Sequence, residues 1–144
     1  MILLVGVDHL VQHKNSNYCE ADLNTVTAFA DCLKETAINH NVVLIAEEFN
    51  ADAFAPGDEP ISTACGVANE LGIEHRFCDP TRAERVEHNI KTPRDREHFW
   101  LEKVRVNQQD AVLFICGDDH LDTFPEELHS ASFEVSIASR GWGC

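Results

Sequence analysis

The sequence predicts an α/β fold: a mostly parallel sheet with helices on both faces, built as one domain over residues 1–144. Three observations lead there. Short, continuous apolar runs recur along the chain, as expected of strands covered on both sides. Stretches with helical spacing or helix caps separate them, which is the alternation that builds parallel sheets. Polar residues then gather where the apolar runs end, at the edge where open α/β sheets place their ligands. The length of 144 residues suits one domain.

The elements follow in order. Residues 2–7, "ILLVGV", read as a buried strand, and residues 8–19 as polar and irregular. From Glu20 to Asn39 the residues Leu23, Val26, Thr27, Ala30, Leu33 and Ala37 can share one helix face. "VVLIAEE" at 42–48 is a second strand, rich in β-branched residues. A loop with Pro56, Gly57 and Pro60 leads to Ser62 or Thr63, either of which can cap a short helix that ends at Gly72. "IEHRFCD" at 73–79 is half polar and reads as a strand near an edge. Residues 81–93 are charged and carry no clear period, while Pro93 opens a helix from Arg94 to about Gln108. "AVLFIC" is the fourth strand, Asp122–Ser130 a helix, and "FEVSIA" at 133–138 the last strand; the tail "SRGWGC" carries no signal.

Charge narrows the function classes. Eleven Lys and Arg against 25 Asp and Glu give a net charge of −14, a field that repels phosphate backbones and anionic membranes. Neither nucleic acid nor a membrane is therefore expected as a partner. The first apolar run lacks a basic flank and the length of a secretory signal, and no stretch approaches a membrane span, so a cytoplasmic location is expected. The six cysteines, at 19, 32, 65, 78, 116 and 144, include no C-x-x-C pair, and free thiols are expected.

The ends of the strands carry the candidate chemistry. Strand one delivers Asp8 and His9, strand two Glu47 and Glu48, strand three Asp79, and strand four Asp118, Asp119 and His120. Two of these ends repeat one device, Gly6-Val7-Asp8-His9 and Gly117-Asp118-Asp119-His120. Read singly, each residue has a structural explanation: a turn histidine, a helix-capping aspartate, a strand exit into solvent. Together they predict a shared site, in which His9 and His120 must come from strands that are neighbours or nearly so. Two histidines and a carboxylate can hold a divalent metal with open positions, or act as base and acid without one. The acidic surroundings suit a metal, because further carboxylates can hold the ligating histidines.

The two Gly-x-x-His motifs, together with "LIAEEF", "FCDP" and "REHFWLEKV", resemble the TraB/Tiki superfamily, whose relatives include erythromycin esterases and ChaN-like haem-associated proteins. The likeness runs from residue 3 to about residue 137. It implies a minimal core of that fold with His9 and His120 as the central histidines. It also implies Glu47 as the site glutamate with Glu48 as the alternative, Asp79 as a supporting acid, and Arg96 as the helix arginine with Arg94 as the fallback. Larger relatives carry lid helices and Tiki-type proteins carry a membrane anchor; neither is expected in this chain, so their substrates do not transfer.

The expectation is a small hydrolase of peptide or ester bonds. His9, Glu47 and His120 would bind Mn, Co or Zn or activate water directly, and Arg96 would stabilise the developing oxyanion or orient a substrate carboxylate. Asp8, Glu48, Asp79, Asp118 and Asp119 would support them. The alternative is a non-catalytic module that binds haem, iron or another small ligand through the same histidines. A Toprim-like Mg²⁺ site lacks its Asp-x-Asp, since His120 stands two places after Asp118. The implied partner is a small-molecule or peptide substrate. With no lid in the sequence, a second copy could cover the crevice in a homo-oligomer.

Overall fold

The computed structural model describes residues 1–12 and 23–142. Its five strands are β1 (Ile2–Val7), β2 (Val42–Glu47), β3 (Glu74–Phe77), β4 (Ala111–Gly117) and β5 (Val135–Trp142). They form one sheet in the order β3-β2-β4-β1-β5, and every pairing is parallel. The helices are α1 (Leu23–Asn39), α2 (Thr63–Leu71), α3 (Arg82–Glu87), α4 (Pro93–Lys103) and α5 (Phe124–Ser130). The predicted α/β class is the observed one.

Alternation along the strands sorts the core into two halves, because successive side chains point to opposite faces. Leu3, Val5, Val7, Ile45, Leu113 and Ile115 pack with Phe29 and Leu33 of α1 and Val67 of α2. Ile2, Leu4, Leu44, Ala46, Val112 and Phe114 pack with Trp100 of α4 and with Phe124 and Leu128 of α5. Both faces of β1 and β4 are therefore covered, which is why "ILLVGV" and "AVLFIC" read as unbroken apolar runs. β4 lies between β1 and β2, so the chain leaves β1, crosses over β4 and returns as β2. Such a reversal opens a crevice at the carboxyl ends of the central strands.

Local chemistry accounts for the helix ends. Ser62 accepts the Cys65 N–H as N-cap of α2, and Gly72 ends that helix at φ 68°, a left-handed position suited to glycine. Thr81 with Glu84, and Thr92 with Asp95, each form reciprocal capping boxes that start α3 and α4. The first of these orders a charged stretch that shows no apolar period.

Several expectations are corrected. The buried face of α1 is Phe29, Leu33 and Ala37, with Leu23 and Thr27 exposed; the stripe is rotated toward Phe29, the bulkiest apolar residue available. Residues 20–22 of that helix expectation, like Cys19 and Cys144, lie outside the described residues. α4 ends at Lys103 rather than near Gln108. His9–Gln12 forms a 3₁₀ turn within the stretch read as irregular, and residues 118–122 form another ahead of α5. β5 continues to Trp142, through most of the tail that carried no signal. Cys32, Cys65, Cys78 and Cys116 are free thiols. No helix among the described residues is long and apolar enough to cross a membrane.

Candidate functional site

β1 and β4 are neighbours, with Val7 opposite Gly117, so the two motifs leave the sheet side by side. A crevice of about 330 Å³ opens there, lined by Asp8, His9, Glu48, Arg96, Asp119 and His120 among others. The Nε2 atoms of His9 and His120 lie 3.7 and 3.4 Å from the same Glu48 oxygen, Oε1. Glu48 is itself held on both oxygens. Its Oε1 accepts from Arg96 Nη2, and its Oε2 accepts the Gly117 N–H at 2.7 Å.

Each histidine is fixed from behind through Nδ1. His120 Nδ1 meets Glu97 Oε1 at 2.8 Å, and His9 Nδ1 meets Gln12 Oε1 at 2.6 Å. The Trp100 ring packs edge-on against the His120 ring with centroids 4.7 Å apart. Arg96 is braced in turn, with Nε donating to Asp79 Oδ1 at 2.9 Å. Asp79 also accepts from Trp100 Nε1 at 3.2 Å and from Arg85 at 2.9 Å. Nη1 of Arg96 has no protein acceptor among the described residues.

The electrostatics follow from this wiring. Burial opposes the charge of Glu48, yet contact with His120, the charges of His9 and Arg96 and the Gly117 amide outweigh it and hold its pKa below the ordinary 4.5. Burial likewise opposes charging His120, but Glu48 and Glu97 overcome it and raise the pKa above 6.5. Arg96 is raised as well, burial being outweighed by Glu48 and Asp79. The side chain of His120 is 12% exposed and that of His9 is 50% exposed, so His9 stands at the mouth and His120 inside.

The structure brings together His9, Glu48, Arg96 and His120, with Asp8 and Asp119 on the crevice wall and Asp79 behind the arginine. It does not bring Glu47 with them. Glu47 is fully buried and accepts from Ser62 Oγ, from His75 Nε2 at 2.7 Å and from Gln12 Nε2 at 2.9 Å. It points to the α2 face and Glu48 to the α4 face, as neighbouring strand residues must. Asp8 accepts the Leu10 N–H, and Asp118 ties the end of β4 to β5 through Arg140 at 2.9 Å and the Gly141 N–H at 2.8 Å. Two positions that contact the histidines escaped the sequence reading, Gln12 and Glu97. Gln12 follows His9 by three residues, the one signal that it could reach the ring; Glu97 sits in a charged helix whose pattern does not set it apart.

The two glycines of the motifs are explained by close approach rather than by a turn. A Cβ on Gly6 would lie 2.4 Å from Asp118 Oδ1 and 2.6 Å from Leu121 Cδ1, and one on Gly117 would lie 3.2 Å from His9 Nε2. Each motif's glycine makes room for a side chain of the other.

A divalent metal finds two suitable donors in the Nε2 atoms. The third, Glu48, is engaged by Arg96 and the Gly117 amide, and among the described residues no group of three or more His, Cys, Asp or Glu is set to hold an ion. As arranged, the residues do not fit a three-ligand metal site. Fold and crevice together define an α/β protein with paired histidines around one arginine-held carboxylate. No family model, curated protein or solved structure matches the chain.

Proposed function

We propose that the protein is a small hydrolase acting on a peptide or ester bond in a small-molecule or peptide substrate, with His9 as general base and His120 and Arg96 as electrophilic groups. The observation that supports this reading is the unequal backing of two converging histidines. His120 lies between two carboxylates, Glu97 and Glu48, which favour its imidazolium. His9 is backed by a neutral amide and stands half exposed, which suits a base that meets water. A pair of ionisable groups set in such different surroundings divides naturally into acid and base.

In this scheme His9 Nε2 takes a proton from water as it attacks the carbonyl carbon. The free Nη1 of Arg96 faces the oxygen that gains charge, and His120 gives its Nε2 proton to the leaving group; His9 then releases its proton to solvent and His120 takes one up, restoring both rings. Glu48 keeps Arg96 and the two rings aligned. The likeness to the TraB/Tiki superfamily supports hydrolysis through the motif residues His9, Arg96 and His120.

The test is turnover of a panel of aryl esters and short peptides, with and without Mn²⁺, Co²⁺ or Zn²⁺. His9→Ala and His120→Ala are expected to lower kcat by roughly 10²–10⁴-fold, the range for loss of a general base or acid. Activity untouched by either change removes the reading. Metal-dependent activity assigns the two Nε2 atoms to an ion and displaces the metal-free scheme. A haem Soret band that vanishes in His9→Ala, without turnover of any substrate, favours the ligand-binding alternative.

A further inference from the structure

We propose that Gln12 is a positioning residue: anchored by Glu47, it fixes His9 in the Nδ1–H tautomer and so turns the Nε2 lone pair into the crevice. The inference deepens the hydrolytic reading of this site and rests on it for its kinetic consequence, but its structural claim can be tested alone.

Gln12 is fully buried at the end of the 3₁₀ turn that begins with His9. A buried amide must satisfy both ends, and the ends are not interchangeable, since one only donates and the other only accepts. Gln12 Nε2 lies 2.9 Å from Glu47 Oε2 and 3.5 Å from the Glu48 carbonyl oxygen. Both are acceptors. Rotating the amide would set its oxygen against a buried carboxylate, which repels it. The NH₂ group therefore belongs to Glu47, and the oxygen faces His9 Nδ1 at 2.6 Å. An amide oxygen accepts only, so Nδ1 carries the hydrogen and the neutral ring keeps its lone pair on Nε2.

Glu47 is a firm anchor for this chain because Ser62 and His75 also donate to it. Ser62 caps α2, and His75 lies on the edge strand β3, so the tautomer of His9 is set through a chain of side chains that does not include Arg96. The arrangement differs in kind from that of His120. A carboxylate at Nδ1, as Glu97 is for His120, stabilises the imidazolium; an amide oxygen directs the same ring without that charge. Gln12 thus gives His9 orientation without placing a carboxylate at its Nδ1. Glu47, though outside the crevice, acts on it through Gln12.

The experiment is ¹⁵N NMR of the imidazole rings in the full chain, with His9 assigned by the signals that disappear in His9→Gln. At a pH where His9 is neutral, the wild type is expected to show protonated Nδ1 and unprotonated Nε2. In Gln12→Leu the His9 signals are expected to move to the averaged values of a ring exchanging tautomers, while kcat falls roughly 10–100-fold, on the scale known for groups that orient metal-bound histidines. Gln12→Met serves the same purpose should the leucine variant not fold. A purely structural Gln12 lowers the melting temperature but leaves the tautomer unchanged, and that result overturns the proposal. So does a wild-type His9 that carries its proton on Nε2, whether or not any substrate is turned over.

Discussion

Glu47 and Glu48 are neighbours in sequence and serve opposite faces of the sheet. Glu48 bonds Arg96 of α4, and Glu47 bonds Ser62 at the start of α2. Their alanine variants should therefore differ in proportion: both lose turnover, Glu47 through Gln12, but Glu47→Ala loses more stability. Glu48→Ala removes the carboxylate that both histidines face and is expected to lower turnover by roughly 100-fold or more, as for loss of a group aligned with the reacting centre. Glu47→Ala leaves the buried donors of Gln12, Ser62 and His75 without their acceptor and is expected to destabilise the fold by about 3 kcal/mol. Urea unfolding and turnover measured on both variants decide this. Equal stability loss in the two would contradict the division.

The ionic cluster predicts a stability optimum. Glu48 has a lowered pKa, so its contribution is present above the ordinary value of 4.5 and is lost as pH falls through the lowered one. His120 has a raised pKa, so its contribution is complete below 6.5 and is lost as pH rises through the raised value. The two overlap between 4.5 and 6.5. Thermal melts across roughly pH 3 to 9 should show both limbs in the wild type. His120→Gln should flatten the alkaline limb and Glu48→Gln the acid one. An alkaline slope unchanged in His120→Gln would refute the linkage.

Arg96 is expected not to tolerate lysine. Its Nε reaches Asp79 and its Nη2 reaches Glu48, a two-carboxylate bridge that a planar fork makes and a point ammonium does not. The Trp100 ring lies 5.5 Å beneath the guanidinium and adds a further constraint on its plane. Arg96→Lys should cost about 1–2 kcal/mol of stability, reduced from the value for a buried charged hydrogen bond because the arginine is partly exposed. Turnover should fall by a larger factor than this predicts, since the spare Nη1 donors are lost too. Calorimetry beside kinetics checks both; a lysine variant with wild-type turnover would exclude Arg96 from the chemistry.

The architecture was legible because each strand of the core is covered on both faces or exits into a polar end, and both patterns survive in a one-dimensional reading. The partnership of His9 with His120 was legible for the same reason. The choice between Glu47 and Glu48 was not. Period two puts them on opposite faces, but which face receives α4 depends on how the chain crosses the sheet, and no local residue encodes that. Gln12 and Glu97 were hidden for a related reason: what matters about them is burial beside a histidine, and burial of a polar side chain has no pattern of its own. The capping box of Thr81 and Glu84 was visible in principle, yet α3 has no apolar stripe to announce a helix behind it.

The glycines supply the most discriminating pair of substitutions. Gly6 and Gly117 hold equivalent places in the two motifs, but a methyl group meets different neighbours at each. On Gly6 it would press into Asp118 and Leu121. Leu121 is buried, and Asp118 is tethered by Arg140 and the Gly141 amide, so neither can step aside cheaply. Gly6→Ala is thus an overpacking change, expected to destabilise by about 1–3 kcal/mol. On Gly117 the methyl would lie 3.2 Å from His9 Nε2 and 3.4 Å from Glu48 Oε2. Glu48 is buried and held, so the His9 ring must yield, at the cost of its bond to Gln12, and the change should cost about 1 kcal/mol, less than at Gly6. The movement would carry Nε2 away from Glu48, however, and a displacement of that kind near the chemistry costs on the order of 100-fold in rate. Gly117→Ala should therefore fold but turn over slowly, whereas Gly6→Ala should melt early and retain activity per folded molecule at low temperature. Melting curves and active-fraction-corrected rates for the two variants test this directly, and a Gly117→Ala protein with full activity would mean that the position of His9 relative to Glu48 does not matter to the reaction.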